Sequence, residues 1–222
     1  MGQMIELTSS DGFKLGAYRA DPAGKARGGI VLVQEIFGVN QHIKKVADGY
    51  AADGYQVIAP AFFDRSHKGL DVGYSQADIE AGRAASQKVN WDLTIKDAEA
   101  ALAALKSAGK SAVIGYCWGG TLAWLSACRI SGLSAAVCYY GGGIPNFMGE
   151  KPKCPTMCHW GEKDHAIPMD AVRKIEAAHP EVKSYVYPAG HGFNCDERGS
   201  YDAGSAKTAR ERTLEFLKKN VG

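Results

Sequence analysis

Apolar residues along this chain gather into short runs, and between the runs they recur at helical spacing. Residues 28–35, GGIVLVQE, form an almost continuous apolar run of the kind a strand shows when both faces are covered. Residues 55–63 (YQVIAPAFF), 111–115 (SAVIG), 133–142 (LSAAVCYYGG), 154–161 (CPTMCHWG) and 182–188 (VKSYVYP) read the same way, and 13–20 (FKLGAYRA) reads as an early edge strand. Between these runs, 40–55 (NQHIKKVADGYAADGY) carries apolar residues near the helical period and meets a stop at Gly54. Residues 92–109 predict a strong alanine- and leucine-rich helix ending at Gly109, 120–130 a second, the segment after Pro168 a third, and 205–221 a closing one. The stretch from Asp64 to Asn90 is the least regular, rich in glycine, serine and charge, and is expected to lie over one end of the sheet.

Strands separated by helices predict an α/β fold: a mostly parallel sheet with helices on both faces. With no repeat, low-complexity tract or linker, residues 1–222 read as one domain. The loops at the carboxyl ends of the parallel strands are then the place to look for a ligand site. Composition narrows the partners. The formal net charge is only +2, from 26 basic and 24 acidic residues with no basic run, which argues against nucleic acid. The opening residues lack the apolar stretch and basic flank of a secretory signal, and no window is long enough to span a bilayer, so no membrane partner and a cytoplasmic location are expected. The six cysteines form no dense framework and are expected to be reduced. Cys154, Cys158 and His159 offer too few ligands for a structural zinc site, so neither metal nor cofactor is expected.

The chemistry concentrates at Gly115-Tyr-Cys117-Trp-Gly119, where a strand runs into a helix. Glycines two before and two after a central residue allow a sharp turn that lifts that residue's side chain out of the sheet. The backbone N–H of the next residue, Trp118, then points into the same space. A nucleophile beside an oxyanion donor is what acyl transfer requires. Asp164 follows a later strand in CHWGEKDHAIP, and His191 follows the last strand in YVYPAGHGF, so acid and base lie in loops beside the elbow. Glu35 ends the strand in QEIFGVN, and the N–H of Ile36 is the candidate second oxyanion donor. Tyr139 and Tyr140 end another strand near the elbow, and Tyr139 is a candidate for the pocket wall.

These motifs, QEIFGVN, GYCWGG, YYG, the Asp-His and Ile-Pro pairs of DHAIP, and GHGF, together resemble the dienelactone hydrolase family, the carboxymethylenebutenolidases of the α/β-hydrolase fold, over nearly the whole chain. The resemblance implies a Cys117–His191–Asp164 triad, with Glu35 helping to deprotonate the thiol when substrate binds. It also implies hydrolysis of an unsaturated lactone carrying a carboxylate, without cofactor or metal, and the leading expectation is a cysteine hydrolase of small lactones or esters. The pattern departs from the family in the pocket. The best-known members hold the substrate carboxylate with two arginines, one before the long helix and one four residues after the histidine. Cys195 stands at the second of these places, with Arg198 further on, and Arg83 lies in the earlier segment. Arg83 and Arg198 are the candidate anchors. The competing reading is a thiol-dependent redox or small-molecule-binding protein on the same scaffold. The lack of a C-x-x-C pair at Cys117 weighs against disulfide exchange. A monomer or weak homo-oligomer is expected.

Overall fold

The computed structural model describes residues 2–222. Its strands are β1 (Gln3–Thr8), β2 (Lys14–Ala20), β3 (Gly29–Val33), β4 (Gln56–Pro60), β5 (Ser111–Tyr116), β6 (Ala135–Tyr139), β7 (Thr156–Gly161) and β8 (Lys183–Tyr187). Its α-helices are α1 (Gln41–Ala52), α2 (Gln76–Gln87), α3 (Trp91–Ala104), α4 (Trp118–Arg129), α5 (Met169–Ala178) and α6 (Ala203–Asn220). One sheet runs through the chain in the order β1-β2-β4-β3-β5-β6-β7-β8. From β4 to β8 every pairing is parallel, while β2 is antiparallel to both β1 and β4.

The central strands are buried along their whole length, and Ile30, Val31, Leu32 and Val33 of β3 have no exposed surface. Such burial contributes about 1.5–3 kcal/mol per large aliphatic side chain. α1 and α6 share one face: Tyr116 of β5 meets Tyr50 of α1, and Tyr139 of β6 meets Thr213 of α6. α3 and α4 pack together over the opposite face, and α4 is buried on nearly every residue. Because the parallel strands share one direction, the loops after β3, β5, β7 and β8 open at one end of the sheet.

Two expectations change. Residues 13–20 do not form the edge strand, since β2 is paired on both sides and β1 lies outside it. β1 is a half-solvated strand, with Leu7 buried and Met4 57% exposed, so it carries too few apolar residues to stand out as a run. The stretch from Asp64 to Asn90 contains a full helix, α2. Ser75 caps it by accepting from the Asp78 N–H, and the Asp78 carboxylate accepts in turn from the Ser75 N–H. Only Gly82 and Ala85 of α2 are buried, a contact surface of small residues that leaves little apolar periodicity to read.

Candidate active site

The turn after β5 needs glycine two residues before and two residues after Cys117. Cys117 takes φ 56° and ψ −117°, a left-handed conformation costly for a non-glycine residue. A Cβ on Gly115 would fall 1.8 Å from the Gly119 carbonyl oxygen, and one on Gly119 would fall 2.4 Å from that of Gln34. The glycines therefore let α4 start directly against β3 and β5, and the thiol stands at the helix N-terminus at the carboxyl end of the sheet.

The loops after β7 and β8 bring the other two members to it. His191 Nε2 lies 3.1 Å from Cys117 Sγ, and His191 Nδ1 lies 2.7 Å from Asp164 Oδ2. The other Asp164 oxygen accepts from the N–H groups of Ala166 and Ile167, at 2.8 and 3.2 Å, which fixes the carboxylate. Burial works against a charged imidazole here. The Cys117 sulfur and the Asp164 carboxylate outweigh it, and His191 is pushed up to about 10. The N–H groups of Ile36 and Trp118 donate to no protein acceptor among the described residues, so both are free to receive an oxyanion.

Glu35 is buried at the end of β3. One carboxylate oxygen accepts from Arg198 at 3.2 Å, and the other is buried without a partner among the described residues. Arg198 thus reaches the site, from the loop after β8, with its guanidinium over the ring of Phe37. Arg83 is exposed on α2, with no side-chain hydrogen bond among the described residues, and is not brought against the triad. Its neighbour Gly82 sits on the Ile36 carbonyl, so α2 covers the loop that carries the candidate oxyanion donor.

Tyr139 does not line the pocket. It is fully buried, and its hydroxyl meets Thr213 at 2.7 Å in a chain that continues through His159 to Tyr187 on the α6 side of the sheet. The next residue lies just past the end of β6. Tyr140, at φ 38°, places its ring edge-on to the His191 ring at 5.1 Å. Tyr74 was not singled out by any motif. Its hydroxyl accepts from Asn40, which also caps α1, and from Cys195, while its ring packs edge-on against Phe37. Cys154, Cys158 and His159 form no ligand set, since His159 is committed to Tyr187 and Thr213.

A thiol at a strand–helix elbow, followed in the chain by an acid and then a histidine at the carboxyl end of a mostly parallel sheet, defines an α/β-hydrolase. The dienelactone hydrolase family model matches residues 15–221, and the chain belongs to that family. Among its relatives are a Pseudomonas putida carboxymethylenebutenolidase, 32% identical over 96% of this chain and 94% of that one, and a Synechocystis protein provisionally given the same name, 31% identical over 94% and 93%. A crystal structure from Klebsiella pneumoniae, provisionally named a dienelactone hydrolase, superposes with a TM-score of 0.83 at 28% identity over 98% of both chains.

Proposed function

We propose that this protein hydrolyses small carboxylate-bearing lactones or esters through an acyl-enzyme on Cys117. The observation that carries the reading is the unbroken line from Cys117 Sγ through His191 to Asp164, beside two unpaired backbone donors. His191 takes the thiol proton, and the thiolate attacks the carbonyl carbon. The oxyanion is held by Ile36 and Trp118. As the C–O bond breaks, His191 returns the proton to the leaving oxygen. Water, deprotonated by the same imidazole, then cleaves the thioester. A thiolate suits this chemistry because a thioester is readily opened by water and a lactone oxygen leaves more easily than an amide nitrogen.

Glu35 and Arg198 account for the preference for an anion. A substrate carboxylate competes for the Arg198 guanidinium, and the freed Glu35 becomes a second acceptor for the thiol proton. Arg83, exposed on α2 away from the triad, is the second candidate for drawing in an anion. A charge-assisted hydrogen bond of this kind is worth about 1.5–3 kcal/mol, roughly ten- to a hundredfold in affinity. The reading is supported by the family membership and by the names of the relatives. The hydrogen bonds of His191 to Cys117 and to Asp164 favour hydrolysis over the competing redox reading. The test is kcat/KM for an acid-bearing lactone against its neutral methyl ester, in wild type, Arg198→Ala and Arg83→Ala. The acid should be preferred in wild type, and the preference should shrink in the variants. A neutral compound preferred in every case overturns the anionic pocket.

A further inference from the structure

Away from the triad, His42 on α1 and the consecutive Cys195 and Asp196 bring a ring nitrogen, a sulfur and a carboxylate oxygen within 4.8 Å of one another. We propose that these three side chains form a zinc-class metal site that ties α1 to the loop between His191 and Arg198. His42 is buried; its Nδ1 meets Asp196 at 3.0 Å, while its Nε2 is buried with no partner among the described residues. Nδ1 is the nitrogen turned toward Asp196, so an ion held by both residues takes the place of that hydrogen bond and the neutral ring keeps its single proton on Nε2. Cys195 is fully buried, and its S–H donates to the Tyr74 hydroxyl at 3.3 Å, a contact that orients the sulfur from behind.

The donor set selects the ion. A thiolate, an imidazole and a carboxylate suit zinc and its borderline-soft neighbours, whereas magnesium and calcium demand oxygen. Three protein ligands leave a fourth tetrahedral position for water. An open cleft of about 350 Å³ beside α1 and α6, lined by His42, Asn194 and Asp196, is the route from solvent. Lys45 and Arg210 also line this cleft, but each is paired, with Glu197 and Asp53 respectively. The ion's two positive charges are cancelled by the Cys195 thiolate and the Asp196 carboxylate, so the loaded site is neutral. Binding replaces the Cys195 S–H bond by an S–metal bond and releases one proton to solvent, with no change of oxidation state. Since Arg198 lies just beyond Asp196 and holds Glu35, the ion would brace the loop that carries the anion-binding arginine.

The test uses the full chain carrying Cys117→Ala, because Cys117 beside His191 would itself take up zinc. Zinc is titrated against a chromophoric chelator, and cobalt is added separately to look for a thiolate-to-cobalt charge-transfer band in the near ultraviolet. One ion per chain is expected. His42→Gln and Cys195→Ser, checked for folding by metal-free thermal unfolding, should each weaken binding at least about tenfold, and Cys195→Ser should abolish the band. If either buried substitution disrupts the fold, Asp196→Asn at an exposed position replaces it, with the same weakening expected. Absence of saturable binding, or binding that all folded variants leave unchanged, overturns the site.

Discussion

His191 is where the charges of the site meet, and its titration is the most direct residue-scale expectation. Its pKa, raised to about 10 by Cys117 and Asp164 against the effect of burial, suits the ring to take the thiol proton and to hold it beside the thiolate. A group whose pKa is higher in the folded than in the unfolded state stabilises the fold below its unfolded value. That contribution is complete below the ordinary histidine value of about 6.5 and is lost as pH rises through about 10. Ring NMR should show His191 deprotonating near the upper value in wild type and well below it in Asp164→Asn; equal values in the two proteins would sever the pair. Glu35→Gln should lower kcat and slow alkylation of Cys117 in the presence of a substrate analogue. A change confined to KM would place Glu35 in the pocket and not in thiol activation.

At the scale of elements, the elbow was legible because its geometry allows little else: Gly115 and Gly119 are needed where backbone meets backbone, and that requirement is written as a spacing. Gly119→Ala should therefore lose activity together with stability, since its Cβ would strike the carbonyls of Gln34 and Val33. Unchanged melting and turnover in that variant would refute the packing argument. The loops bearing Asp164 and His191 were legible for a related reason, as each follows a strand whose apolar run marks where it ends. α2 was not, because a capping box and two small buried residues replace the apolar face that periodicity detects. Ser75→Ala should cost about 0.5–2 kcal/mol of helix stability. Urea unfolding would measure it, and a change within error would mean that the cap is idle. The choice between Tyr139 and Tyr140 could not be made from the run YYGG either, since it depends on where β6 ends: Tyr139 is its last residue, paired with Tyr116 and His159, and Tyr140 leaves the strand at φ 38°.

For the molecule as a whole, the sheet supplies direction and the loops supply chemistry. Parallel β3, β5, β7 and β8 deliver Glu35, Cys117, Asp164 and His191 to one end from positions far apart in the chain. The alternation of strand and helix predicted that convergence, while the outer strand β1 and the ion pair between Arg198 and Glu35 emerge only in three dimensions. The claim on which the rest depends is that Cys117 carries the acyl group. Whole-chain mass spectrometry after an acid quench, with an activated aryl ester whose acyl group leaves slowly, measures it directly. A mass increase of one acyl group is expected, mapped by proteolysis to the peptide containing Cys117 and absent from Cys117→Ala, which should also be inactive while keeping the wild-type fold. An acyl group on another residue, or hydrolysis retained by Cys117→Ala, would contradict it.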